Sequence, residues 1–102
     1  MNTMTRVTEI GLPQLTEEDI ERLTEQCEQE ITRFIFQMVP QKSIAELNVV
    51  CTLDLSDVLT LDVDLDITQK YDTGHSLDEI LEQAAAHGQD WLERRLMEMK
   101  NK

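Results

Sequence analysis

Two stretches near the middle of the chain alternate between apolar and polar positions. Alternation is complete over residues 59–68, and it recurs over residues 47–55, where Val50 alone interrupts the polar set. Strict alternation gives a β-strand one buried and one solvated face. We therefore predict a β-hairpin over residues 46–68 that turns near Ser56 and Asp57.

An amphipathic helix is predicted before the hairpin. Thr16 is a good N-cap and Asp19 stands three residues later, as in a capping box. Pro40 disfavours helical geometry at Val39 and should end the helix there. The predicted buried positions are Ile20, Leu23, Cys27, Ile31, Phe34, Ile35 and Met38.

A second amphipathic helix is predicted after the hairpin. It begins with the capping box formed by Ser76 and Glu79. Small residues over 84–88 should let another backbone approach closely. The predicted buried positions are Leu77, Leu81, Ala84, Gly88, Trp91, Leu92 and Met99.

The first 14 residues carry a weak pattern, which fits either a short strand near residues 5–10 or a loose tail. The whole chain, residues 1–102, is predicted to be a single α+β domain. Its order is (β)-α-β-β-α, with both helices on one face of an antiparallel hairpin or three-stranded sheet. A two-stranded hairpin is barely stable alone, so either the N-terminal segment or another chain should supply further pairing.

Charge narrows the choice of partners. The net charge is −12 and the isoelectric point is near 4.3, so the surface should repel nucleic acid and anionic lipid. The sequence contains neither an apolar run of membrane-spanning length nor a signal-peptide pattern. We expect a cytoplasmic protein that binds neither membrane nor nucleic acid directly, with both cysteines reduced.

Three alternating aspartates, Asp62, Asp64 and Asp66, invite comparison with a calcium loop. An EF-hand loop that began at Asp62 would need Gly at position 67 and Glu at position 73, where the chain has Ile67 and Thr73. We interpret the aspartates as the solvated face of a sheet, or else as a surface for a basic partner.

Catalytic machinery is not evident in the sequence. Cys27, Cys51, His75 and His87 lack the short paired spacings of zinc sites. Neither histidine has a motif that would make a cysteine nucleophilic, and no glycine-rich phosphate loop occurs. We predict a non-enzymatic protein with no cofactor or metal, buried thiols and surface histidines.

The positions of several residues are better explained by contact with a partner protein than by packing in the core. Phe36 and Met97 fall on the polar sides of their helices, and Trp91 is large enough to serve both core and surface. Acidic residues also follow one side of the first helix and could dock on a basic protein. The predicted partner-binding residues are Phe36, Trp91, Met97, Glu21, Glu25 and Glu28.

Residues 10–13 (IGLP), 15–20 (LTEEDI) and 39–42 (VPQK), with the strand at 59–66, resemble a small archaeal family of uncharacterised cytosolic proteins. That family in turn resembles the small dimerising subunit of KEOPS, which makes threonylcarbamoyl-adenosine in transfer RNA. The KEOPS subunit packs two helices on one face of a three-stranded antiparallel sheet and docks on the catalytic subunit by its helices. The resemblance implies an accessory subunit that pairs with the small KEOPS-type subunit.

Two alternatives remain open from the sequence. The chain could form a homodimer of its own, or it could be a miniature prefoldin-like holdase, since prefoldin subunits also run helix, hairpin, helix. Prefoldin helices are long heptad coils, however, and the stripe of the first helix here fits no strict heptad.

Overall fold

The fold is α+β, in the order β-α-β-β-α, as predicted. The computed structural model describes residues 2–11 and 14–100. The elements are β1 (Asn2–Gly11), α1 (Glu17–Met38), β2 (Ile44–Leu55), β3 (Leu59–Gln69) and α2 (Leu77–Lys100), with a short 3-10 helix, Gln41–Ser43, before β2.

The N-terminal segment is a strand rather than a loose tail. The sheet order is β1-β3-β2, and both neighbours of β3 run antiparallel to it. The β1 register begins with Asn2 opposite Ile67 and shifts between Glu9 and Gly11. Gly11 has φ +125°, which a residue with a side chain rarely adopts. This third strand gives the hairpin the pairing that it lacked.

The central position of β3 accounts for its complete alternation. One face of β3 is buried beneath the helices, and the other carries the row of polar residues. Both helices lie on the same face, with α1 mainly over β2 and α2 mainly over β1. The β3 residues of the core are Leu59, Leu61, Val63, Leu65 and Ile67.

Helix α1 begins at the predicted cap. The Asp19 N–H donates to Thr16 Oγ1, and the Thr16 N–H donates to Asp19 Oδ2, both at 3.1 Å. These bonds hold the pKa of the Asp19 carboxyl below its usual range. The helix ends as predicted before Pro40, where the Val39 N–H donates to the Ile35 carbonyl.

One of the predicted buried positions of α1, Met38, is wrong. Met38 is 39% exposed, whereas Val39 is buried. Val39 lies four residues after buried Ile35 and takes the next core-facing position, so Met38 is rotated toward solvent.

The two helices approach closely at Gly88. A Cβ atom there would lie 2.6 Å from Ile31 Cδ1 and 2.7 Å from Ile31 Cγ1. Ala84, Ala85 and Gly88 are all buried, in keeping with the predicted close approach of another backbone.

Candidate protein-interaction surface

A groove runs between α1 and the outer edge of β2. Its volume is about 910 Å³. Phe36 and Val50 border it and are 36% and 48% exposed. The side chains that define its chemistry are Glu25, Glu28, Phe36, Leu47, Val49 and Val50.

The groove lies beside an unpaired strand edge. Strand β2 is the last strand of the sheet on this side, so its outer backbone groups have no strand partner among residues 2–11 and 14–100. Glu28 of α1 reaches this edge, and its Oε2 accepts a hydrogen bond from the Cys51 N–H at 2.9 Å. Such edges are sites where another chain can add a strand.

The predicted partner-binding residues fall into two groups. Phe36, Glu25 and Glu28 meet at the groove, where the structure places them together with the β2 edge. Glu21 is exposed but lies nearer the start of α1 and does not line the groove.

The other two residues lie on α2, away from the groove. Trp91 is partly buried and packs against the core, and Met97 is 64% exposed. Met97 borders a second cavity of about 650 Å³ that it shares with Ile10, Leu96 and Met99. The six residues therefore do not form one continuous surface.

The open face of the sheet carries the three aspartates in one row along β3. They alternate with the buried residues of β3. Their neighbours on the edge strands are polar except for two exposed valines, Val7 opposite Asp62 and Val50 opposite Asp64. Thr5 Oγ1 donates to Asp64 Oδ1 at 2.8 Å, whereas Asp62 Oδ1 is buried without a hydrogen-bond partner in the structure. Among the described residues, no three acidic, histidine or cysteine side chains are grouped to hold a metal ion.

Both cysteines are buried, and no disulfide joins them. Cys27 Sγ donates to the Gly88 carbonyl at 3.6 Å. A hydrogen bond with the Cys27 thiol, followed by burial, raises the pKa of Cys51 far above its usual range. Cys51 is therefore a neutral thiol at physiological pH, as its place in the core requires.

One histidine lies elsewhere than the sequence predicted. His87 is partly buried between the helices rather than on the surface. Its ring stacks on Phe34 with centroids 5.1 Å apart, and its Nε2 lies 3.4 Å from Glu30 Oε2. No local pattern indicates this contact, because it depends on how α1 and α2 cross.

The contact between Glu28 and Cys51 was also missed. Glu28 is one of four acidic residues on the same side of α1, and nothing in their spacing distinguishes it from Glu21 or Glu25. Only the position of α1 over β2 brings this one carboxylate to the strand edge.

The fold places this chain among small α+β proteins, and relatives of similar length occur in archaea. An uncharacterized protein of Pyrococcus furiosus is 30% identical over 95 residues, which are 89% of this chain and 86% of the relative. An uncharacterized protein of Thermococcus kodakarensis is 27% identical and covers 94% of this chain and 89% of its own length.

Residues 12–94 match the family described as protein of unknown function DUF3194, and the chain belongs to that family. This assignment agrees with the predicted resemblance to uncharacterised archaeal proteins.

Two solved structures share the fold. A crystal structure from Thermococcus onnurineus superposes with a TM-score of 0.73 at 21% identity, covering 99% of this chain and 98% of the other. The solution structure of a hypothetical protein from Methanothermobacter thermautotrophicus gives a TM-score of 0.70 at 22% identity, covering 83% of this chain and 92% of the other. At these identities the likeness concerns the fold alone.

Neither α1 nor α2, the two long helices in the described part of the chain, combines the length and apolar character needed to cross a membrane.

Proposed function

We propose that this protein is a non-enzymatic interaction subunit of the cytoplasm, and specifically an accessory subunit of a KEOPS-like complex that modifies transfer RNA. Its partner would be the small KEOPS-type subunit. The observation that carries the interaction role is the apolar groove beside the unpaired edge of β2.

Three features of the groove support a protein partner. Its backbone edge can accept another strand, its apolar side chains Phe36 and Val50 are exposed, and Glu25 and Glu28 add negative charge. A partner strand that covered the groove would bury this apolar surface and satisfy the edge, which are the two contributions that strand addition uses.

The KEOPS version rests on the resemblance and on a shared architecture. Two helices on one face of a three-stranded antiparallel sheet are the arrangement that the resemblance implied. The net charge of −12 disfavours direct contact with transfer RNA. In this proposal the other subunits hold the RNA, and this chain binds protein.

A tagged pull-down from archaeal cells, read by mass spectrometry, tests the proposal. We expect KEOPS subunits in near-stoichiometric amounts. Recovery of the bait alone, running as a dimer, would point instead to a self-contained homodimer. A holdase would recover many unrelated proteins and would delay the aggregation of an unfolded client.

The variant Phe36→Asp sharpens this test. We expect it to retain the circular dichroism spectrum of the folded protein and to lose the partner, because the new carboxylate lies in the groove. Tyr71→Asp is the matched control: Tyr71 is 54% exposed but lies in the loop before α2, outside the groove. Equal recovery of the partner by both variants would remove Phe36 from the interface.

A further inference from the structure

The outer edge of β2 presents a defined set of backbone groups. Neighbouring residues in an antiparallel pair alternate between facing the partner strand and facing away from it. The Cys51 N–H faces away from β3, because it donates to Glu28 of α1. The register between β2 and β3 is regular from Glu46 to Leu55, so Leu47 and Val49 direct their N–H and C=O groups outward as well.

Glu28 divides this edge into two parts. Its carboxylate occupies the Cys51 N–H, so a strand that reached Cys51 would have to displace it. The groove ends at the same point, since its β2 lining comprises residues 47–50 and stops short of Cys51. The part of the edge that borders the groove therefore begins at Leu47 and ends at Val50.

The side chains around this part of the edge favour a partner segment of a particular composition. Phe36, Leu47 and Val49 offer apolar contacts on the helix side of the groove. Glu25 is exposed beside them and Glu28 stands at the closed end, while Arg33 is the one cation among the lining residues. A segment that carries both apolar and basic side chains complements this surface.

A second copy of this chain fits the groove poorly. It would bring another net charge of −12 toward Glu25 and Glu28, and like charges placed together across an interface are strongly disfavoured. A basic segment would instead be attracted. Because side chains alternate along a strand, the apolar set of an added strand would face Phe36 on the helix side, and the basic set would face the open side of the sheet, where Asp66 and Asp64 lie opposite Asn48 and Val50.

We propose that residues 47–50 of β2 receive an extended segment of a partner protein by strand addition, and that this segment alternates apolar and basic residues. The proposal rests on the interaction role proposed above and specifies the surface and the partner chemistry. Glu28 sets the limit of the added strand by holding the Cys51 N–H.

The probe for this proposal is the capped peptide Lys-Val-Lys-Val-Lys-Val-Lys, used at 0.15 M salt, where nonspecific attraction is partly screened. We expect the amides of Leu47 and Val49 to exchange with deuterium roughly tenfold more slowly when the peptide is bound, since both acquire hydrogen-bond partners. A peptide of the same composition with its lysines and valines in separate blocks controls for charge alone.

A modified peptide tests strand pairing without changing the protein. Methylation of alternate backbone nitrogens removes the donors along one edge of the peptide. We expect the affinity to fall roughly tenfold or more when the methylated edge is the one that faces β2, because the peptide then loses the hydrogen bonds that it donates to β2. Unchanged affinity for both methylated patterns would overturn the proposal.

Val49→Pro makes the complementary change in the protein. Val49 directs its N–H outward, so proline there removes a donor that the β2–β3 ladder does not use, as tolerated on edge strands. We expect roughly fivefold weaker peptide binding than in Val49→Ala, which shortens the side chain but keeps the N–H. If Val49→Pro fails to fold, the methylated peptides still test whether the peptide pairs with β2 through backbone hydrogen bonds.

The outcomes separate this inference from the proposed function. Peptide binding without slower exchange at Leu47 and Val49, or equal binding of the blocked peptide, would contradict strand addition while leaving an interaction subunit intact. Protection at Leu47 and Val49 together with a pull-down that recovers no KEOPS subunit would support the groove and reject the proposed complex.

Discussion

At Gly88 the packing of the two helices leaves no room for a Cβ atom. Replacing it with alanine adds a Cβ atom within 2.7 Å of two atoms of Ile31, a side chain that is fully buried. Alanine gains about 1 kcal/mol of helix propensity over glycine, but overpacking a core costs roughly 1–3 kcal/mol. We expect Gly88→Ala to destabilise the protein by about 1 kcal/mol, measured by urea unfolding.

A double-mutant cycle identifies Ile31 as the cause. Ile31→Ala alone should cost about 2–5 kcal/mol because it leaves a cavity. In the Gly88→Ala background its cost should be smaller by about 1 kcal/mol, since the same truncation then relieves the clash. Additive free energies of unfolding would show that Ile31 and residue 88 do not compete for space.

Cys51 makes stability depend on pH in the alkaline range. Its hydrogen bond with Cys27 and its burial raise the pKa of the folded thiol far above the unfolded value, which is about 8.5. Above that pH the unfolded thiol loses its proton while the folded thiol retains it. The contribution of Cys51 to stability is therefore complete below about pH 8.5 and is lost as pH rises.

The comparison that isolates this effect uses Cys51→Ala. Denaturant unfolding of both proteins between pH 8 and pH 10 should give a steeper decline for the natural chain, although the variant starts from lower stability. Parallel declines would assign the alkaline loss to groups other than Cys51.

At the scale of the elements, β2 is protected at one point by a side chain from α1. Glu28→Ala should release the Cys51 N–H and accelerate its hydrogen exchange roughly tenfold, because the donor is then open to solvent. Glu28→Gln should retain most of the protection, since its amide oxygen can still accept the bond. Amide exchange followed by NMR measures both effects.

The amide of Val63, opposite Cys51 in the buried central strand, serves as the internal control for that experiment. Its exchange should be unchanged if Glu28 acts only at the edge. Equal acceleration at Cys51 and Val63 would mean that Glu28→Ala loosens the whole sheet.

The sequence predicted the central elements well because burial imposes their patterns directly. Strand β3 is covered on one face along its whole length, so its alternation is complete. Helix α1 carries both its cap and its stop in the sequence, at Thr16 and Pro40. The cap and the stop of α1 depend on contacts within a few residues along the chain, whereas β3 is covered by distant elements but records that burial in its own alternation.

Strand β1 was ambiguous for the opposite reason. Its helix-facing positions include the polar residues Asn2 and Thr8, which alternation alone would place in solvent. Their side chains meet α2, where Asn2 Nδ2 donates to Asp78 at 2.7 Å and Thr8 Oγ1 donates to Gln89 at 3.3 Å. These partners lie more than 70 residues away, so no local pattern could reveal them.

The groove was predictable only in part. The exposure of Phe36 follows from its place on the polar side of α1, and helical spacing placed it correctly. The meeting of Phe36 with Leu47 and Val49 depends on the crossing of α1 over the edge strand, which the spacing of residues within α1 does not determine.

At the scale of the whole molecule, charge is the dominant feature. A net charge of −12 occupies a body of 44 × 23 × 20 Å. Two ion pairs, Arg33 with Glu30 and Arg95 with Glu98, occur within the described residues, and one side chain of each pair is 66% exposed. Exposed pairs contribute little, so repulsion among the unpaired carboxylates should outweigh them.

Salt should therefore stabilise the folded protein. The Debye length falls from about 30 Å at 0.01 M salt to about 10 Å at 0.1 M. It is therefore longer than the two shorter dimensions of the molecule, 23 and 20 Å, at the lower salt concentration and shorter than both at the higher one. Relief of about 1 kcal/mol of repulsion would raise Tm by about 4–8 °C. Scanning calorimetry in sodium chloride measures the rise.

Glu21→Gln provides the matched control for the salt series. Glu21 is exposed, stands four residues from Glu25 and lies outside the groove, and like charges at that spacing on a helix repel each other by a few tenths of a kcal/mol. The variant should be slightly more stable at 0.01 M salt, and the difference should shrink at 0.1 M. A Tm that falls as salt is added would mean that the ion pairs outweigh the net charge. The acidic surface would then be a stabilising network, and less of it would be left to attract a basic partner.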